Sequence, residues 1–220
     1  MRSLFLLSFL AAVHLHAVSQ FEGSIQSKNR SVDDAGVEHV YQMTIWVKKA
    51  MVRVQMPAMG DAPAATAIYR RDRKVSWMLD EAGRTYFEIR IPDSRDGDQS
   101  VQPSEKEESS VQRTKKTRKI LGFACEQVIL SRGDMRTEIW GARGLEDLVK
   151  VLRESLEQGT ATSPDDLIAS MGLFPLLSTI EYEGRILESQ EITKIERKPL
   201  DPGLFEIPAG FSKQKAVDVE

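Results

Sequence analysis

The sequence is short of the residues from which catalytic and metal centres are usually built. It has one cysteine, Cys125, and three histidines in 220 residues. An intramolecular disulfide is therefore excluded, and the usual zinc site of four Cys and His ligands cannot be assembled. Cys125 closes the apolar run Leu121-Gly122-Phe123-Ala124, a setting for a buried structural thiol, because reactive cysteines need electropositive, partly exposed surroundings. His14 and His16 fall in an N-terminal segment expected to be removed, which leaves His39 for any Ser/His/Asp or Cys/His arrangement. No G-x-S-x-G motif accompanies it.

An excess of one charge is missing too. Thirty basic residues face thirty-three acidic ones, a net charge of −3, so nothing in the overall balance points to nucleic acid or to an anionic membrane. No G-x-G-x-x-G or Walker-type loop supports nucleotide binding. Asp93, Asp96 and Asp98 lie close together without the order of an EF-hand loop. Asp165 and Asp166 suit a helix N-terminus, where negative charge favours the macrodipole. No catalytic residue, metal or cofactor is assigned, and the protein is expected to bind and not to catalyse. A hydrolase-type activity would require an unforeseen carboxylate pair in a cleft.

Long apolar runs are absent except at the start. Arg2 followed by Leu4 to Val13 has the layout of a secretory signal peptide, and Ala17 and Ser19 occupy the −3 and −1 positions of a cleavage site. The run is shorter than the roughly 20 apolar residues needed to span a bilayer. No cysteine follows it, so a lipid-anchored lipoprotein is excluded. The reading is a signal peptide over 1–19, one domain over 20–220, and a periplasmic or secreted location.

What remains is dominated by strand patterning. Tyr41, Met43, Ile45 and Val47 alternate with polar residues, as do Val52, Val54 and Met56, then Val75, Trp77 and Leu79, then Phe87, Ile89 and Ile91 after a turn at Glu81 to Gly83. The pattern resumes from Ile120 to Leu130, through Met135 to Trp140, and in a last hairpin joining Leu176–Tyr182 to Ile186–Ile195 through Glu183-Gly184. Nine or ten strands are expected, each with one dry and one wet face, which is antiparallel grammar. Trp46 and Trp140 point away from their apolar neighbours, towards a second packing layer or a binding surface.

One helix is announced by Leu145, Leu148, Val149, Leu152 and Leu156, with Glu146 and Asp147 in its first turn and Gly159 as its cap. A second, short helix opens at Ser163-Pro164-Asp165-Asp166, presents Leu167, Ile168 and Met171, and stops at Gly172. Between strand groups, residues 92–118 contain only Val101 and Val111 as apolar residues and are expected to form a mobile charged loop. Its acidic residues come first. Five basic residues in the seven positions from Arg113 to Lys119 follow, a patch for an acidic partner or for peripheral contact with lipid headgroups, or simply a solvated face.

Several later motifs resemble a known family. They are Trp77-Met78-Leu79-Asp80 with Tyr86 and Glu88, the run Thr117 to Glu126, Glu138-Ile139-Trp140, Gly172-Leu173-Phe174-Pro175-Leu176, Leu200-Asp201, and Phe205-Glu206-Ile207-Pro208-Ala209-Gly210-Phe211. Their order is similar to that of an uncharacterised family of exported bacterial proteins carrying domain of unknown function 4412. That family resembles the lipoprotein carriers LolA and LolB. The resemblance implies an unclosed antiparallel half-barrel with helices on its concave face and an apolar site for acyl chains. The chain departs from those carriers at Phe21 to Ile25, which read as an immediate strand where they begin with an amphipathic helix.

The expected fold is mainly β (α+β): a curved antiparallel sheet forming a half-barrel, with two short helices packed on the concave face. The expected function is an exported, monomeric carrier or sensor of a lipid or lipoprotein acyl chain. Its lining is assigned from alternation to Met43, Ile45, Val52, Val54, Met56, Trp77, Phe87, Leu148 and Leu152. The alternative is a protein-binding scaffold or envelope-stress sensor with a filled core, no ligand and an envelope protein as partner.

Overall fold

Period-two alternation places a sheet at the centre of the fold, and the computed structural model describes it over residues 20–59, 62–91, 109–156 and 168–214. Its twelve strands are β1 (Glu22–Val32), β2 (Glu38–Lys48), β3 (Met51–Met56), β4 (Ala65–Arg70), β5 (Val75–Asp80), β6 (Thr85–Arg90), β7 (Ser109–Ile120), β8 (Phe123–Arg132), β9 (Met135–Ala142), β10 (Phe174–Tyr182), β11 (Arg185–Arg197) and β12 (Ser212–Lys213). They form one open sheet in the order β12-β6-β5-β4-β3-β2-β1-β11-β10-β9-β8-β7. Every neighbouring pair is antiparallel except β12 and β6. Among the described residues, no helix is long and apolar enough to cross a membrane.

The sheet curls around the helix α1 (Glu146–Leu156). Strands β3 and β10 are four steps apart in the strand order, roughly 19 Å in a flat sheet, yet α1, only about 10 Å across, touches both. The helix turns Leu148 and Val151, with Leu145 just before it, into a cluster with Phe21 and with Ile25, Val47, Val52, Cys125, Trp140 and Leu176 from strands in both halves of the sheet. Leu148 and Leu176 are fully buried, and burying a side chain of that size contributes about 1.5–3 kcal/mol.

The opposite face of β2–β6 is covered by the chain that follows β11. A 3-10 turn, Pro202–Phe205, is capped by Asp201, whose carboxylate accepts a hydrogen bond from Gly203 N at 2.9 Å. The turn presses Phe205 onto Ile68, Trp77 and Leu79, with Leu200, Ile207 and Phe211 alongside. Arg53 Nη1 donates to Leu204 O at 3.1 Å and Arg70 Nη1 to Phe205 O at 3.2 Å. The chain then lies along the β6 edge as β12. Trp46 belongs to this second layer, while Trp140 joins the layer under α1.

The expected helix at Leu145–Leu156 is present, and Gly159 lies outside the described residues. Of the second, Ser163 to Leu167 lie outside them as well, while Ile168–Ser170 are helical. Leu173 N donates to Ile168 O and Gly172 N to Ala169 O, with Gly172 at φ +69°. That is a Schellman stop, in the position read from the glycine. The turn packs Ile168 and Leu173 on Val128 and Ile139, on the face of β8–β9 opposite Trp140 and α1. Thus α1 takes the concave face and this turn the outer one.

Strand count and loop extent differ from expectation for physical reasons. β4 has no readable alternation because both of its faces are covered, leaving Thr66, Ala67 and Ile68 buried in succession. The expected loop over 92–118 is corrected over its last third, where β7 begins at Ser109. β7 pairs with β8 alone and is exposed almost throughout, so it needs no apolar period. Residues 92–108 of that expectation lie outside the described residues.

Candidate functional site

Directly opposed residues in an antiparallel ladder share a face, so the pairing traces what lines the concave side. One row runs Ile25, Ile45, Val54, Ala67, Met78, Phe87 across β1 to β6. The next runs Val52, Tyr69, Ser76, Ile89. Ile45, Val52 and Val54 pack into the cluster beneath α1, together with Leu148 and Leu152 from the helix. Towards β6 the apolar rows leave the shelter of the helix. Met78 is half-buried, Phe87 is 38% exposed and Ile89 47% exposed. Met43 and Met56, two residues along from Ile45 and Val54, share the face and are half-buried.

Eight of the nine residues assigned from alternation therefore line or cover one face. The ninth, Trp77, does not. It faces the other way, opposite Ile68, under the segment from Leu200 to Phe211, with its indole Nε1 donating to Glu88 Oε2 at 3.0 Å. In β5 the bulky alternation Val75, Trp77, Leu79 belongs to the outer layer and the slimmer Ser76 and Met78 to the inner one. A covering layer on both sides makes the bulkier face an unsafe guide to the interior. Met78 and Ile89 join the strip instead, and their signal is register: each stands opposite a residue of the neighbouring strand on that face.

Beneath α1 the packing is close, with Val47, Val52, Leu148 and Leu176 essentially without exposed surface. The open apolar strip is the part towards β5 and β6. Two hollows among the described residues lie elsewhere. One of about 360 Å³ is formed by the outer side of α1, at Glu146, Lys150 and Arg153, with Ala169 and Gly172. The other, of about 200 Å³, lies among Lys28, Arg30, Glu38, Val40 and Glu191. Both are rimmed by charge, and neither includes a residue of the strip.

Several ionisable or nucleophilic side chains near the strand ends are engaged within the fold. His39 Nε2 lies 2.9 Å from Asp33 Oδ2, and Asp33 Oδ1 accepts from Val37 N at 2.8 Å. The His39 contact, aided by the Val37 bond, holds the Asp33 carboxyl below the usual carboxylate range. Ser31 stands opposite His39 in the ladder, with no hydrogen bond between their side chains among the described residues. Cys125 is buried, burial pushes its thiol pKa up, and Sγ donates to Phe123 O at 3.6 Å. Among the described residues, no group of three or more His, Cys, Asp or Glu side chains could hold a metal ion.

The model of a family described as a domain of unknown function, DUF4412, matches residues 21–211. No curated protein matches the chain. Among solved structures, an uncharacterized conserved protein from Thermus thermophilus is similar at 10% identity and a TM-score of 0.48, over 88% of this chain and 90% of that one. MucB, solved in complex with MucA(peri), is 13% identical over 84% of this chain and 55% of its own, with a TM-score of 0.42. A putative outer membrane lipoprotein-sorting protein domain from Vibrio parahaemolyticus is 8% identical over 86% and 90%, with a TM-score of 0.37.

Proposed function

We propose that this chain, which belongs to the DUF4412 family, is exported through a signal peptide cleaved after Ser19 and binds the acyl chain of a lipid or lipoprotein. It acts as a non-catalytic carrier or sensor in the envelope. The observation that carries this reading is the apolar strip running out from under α1 through Met78 to the exposed Phe87 and Ile89. Contiguous exposed apolar surface on a soluble domain marks a site for an apolar partner. The half-buried Met78 within it, and Met43 and Met56 on the same face, suit a flexible chain, since methionine re-packs at little cost.

The strip is one wall and not a closed cavity. A chain lying on it sheds about half of its water, so each methylene contributes roughly 0.4 kcal/mol in place of the ~0.8 kcal/mol of full burial. Binding of that strength suits a protein that must release what it carries. The test is native mass spectrometry of the protein purified gently from its own envelope, followed by lipid extraction. A bound acyl lipid is expected; its absence, together with failure to bind a fluorescent fatty acid, overturns the reading. The close packing beneath α1 favours the alternative, a protein-binding sensor with a filled core, which predicts both of those negative results.

A further inference from the structure

The two edges of the sheet are treated differently. At one end β12 lies along β6, with Lys213 paired to Glu88 at 2.7 Å and Gln214 donating to Thr85 Oγ1. At the other end β7 is the last strand, so one row of its backbone N–H and C=O groups has no neighbouring strand among the described residues. This free edge is twelve residues long and holds no acidic residue. Arg113, Lys115, Lys116, Arg118 and Lys119 are all exposed.

Two of these cations are engaged. Arg113 binds Glu126, and the Arg118 guanidinium lies 4.3 Å from the centre of the Trp140 ring. The side chains of Lys115, Lys116 and Lys119 have no hydrogen-bond or ion-pair partner among the described residues. Lys115 and Lys116 stand in a bulge between Arg113 and Thr117, where pairing with β8 is interrupted. Thr114 steadies it, donating to Gln127 Oε1 at 2.8 Å and accepting from Lys116 N at 3.2 Å.

Charge and backbone together select the partner. A second copy of β7 would set like charge against like, which is how lysines on edge strands prevent self-pairing. Anionic headgroups would answer the charge and leave the backbone row unanswered. Only an extended acidic polypeptide answers both, adding a strand by main-chain hydrogen bonds and placing carboxylates against the lysines. We infer that the β7 edge is a docking site for an extended acidic segment of a partner protein. The site is separate from the apolar strip and does not depend on the acyl-binding reading.

The test uses the mature protein and a fluorescein-labelled peptide of about nine residues alternating Glu and Val, followed by anisotropy. Binding is expected, and it should weaken about tenfold or more when alternate peptide amides are N-methylated, or in the surface variant Lys115→Glu/Lys116→Glu. Fatty-acid binding by that variant should match the parent, which separates this site from the strip. Equal binding of the methylated peptide, no binding of either peptide, or lysine-dependent co-sedimentation with phosphatidylglycerol vesicles in place of peptide binding overturns the inference. So does a wild-type dimer that the same two substitutions dissolve.

Discussion

Arg197, at the end of β11, grips the Asp147 carboxylate in the first turn of α1 through two hydrogen bonds of 2.8 and 3.0 Å. The same guanidinium lies 4.8 Å from the centre of the Phe21 ring, so one side chain ties the helix to the sheet and to Phe21, the first buried residue among those described. The bond from Arg197 holds the Asp147 carboxyl below its ordinary range. A depressed carboxylate contributes stability that is present above its unfolded value, about 3.9, and is lost as the pH falls through the folded value. Asp147→Asn should therefore cost about 1 kcal/mol at neutral pH, a modest figure because Arg197 is half exposed. Denaturant melts of parent and variant should converge in acid. A gap that persists unchanged after acidification would show that the pair is not its source.

Arg70 plays the corresponding part for the outer layer. It is only 5% exposed and donates to both Asp72 oxygens, at 2.9 and 2.8 Å, to Phe205 O, and to Glu206. Arg70→Leu should cost about 2–3 kcal/mol, since it unmakes charged hydrogen bonds in a buried setting. The same change should loosen the segment from Leu200 to Phe211. Trp46 and Trp77 lie beneath that segment, so tryptophan emission should shift to the red before global unfolding. Unfolding without any such early shift would argue that the segment is not held by this contact.

Gly23 makes a backbone demand. It sits at φ +156°, and a Cβ there would stand 1.8 Å from the carbonyl oxygen of Glu196 on the paired strand. The obstacle is main chain, so no rotamer change relieves it, and Gly23→Ala should cost more than about 3 kcal/mol by prising β1 from β11. At Gly36, also at positive φ, an added Cβ would meet nothing within 4 Å. Gly36→Ala should cost only about 1 kcal/mol. Equal thermal shifts for the two would refute the steric account.

Legibility in the sequence follows burial. Strand stretches with one wet face, such as the first half of β2, where Val40 and Gln42 are exposed and Tyr41 and Met43 half-buried, can be read from period two, and α1 from Leu145, Leu148 and Leu152, because one side of each meets water. β4 is hidden because both faces are covered, and β7 because neither is. The outer strap is hidden for another reason: Leu200, Phe205 and Phe211 are anchors on irregular chain, and no period links them. The pairing of β1 with β11, some 160 residues away along the chain, is set by the closing of the sheet and has no local signal. Trp77 is misplaced by the assumption that the bulkier alternation points inwards, which fails for a sheet covered on both sides.

That distinction gives the acyl-binding reading its clearest test. Phe87 is exposed on the strip, so Phe87→Glu should leave the melting temperature nearly unchanged, as surface substitutions usually do. A carboxylate in the path of an apolar chain should nevertheless weaken binding of a fluorescent fatty acid about tenfold or more, because covering it would strip its water without a partner. Trp77→Ala should behave in the opposite way. It empties space in the outer layer and should cost about 3–5 kcal/mol, while the fraction that remains folded binds the fatty acid as the parent does, since Trp77 never faces the strip. Titrations paired with thermal melts separate these outcomes. Parent-like binding by Phe87→Glu would remove the strip from consideration as the site, however stable the variant proved.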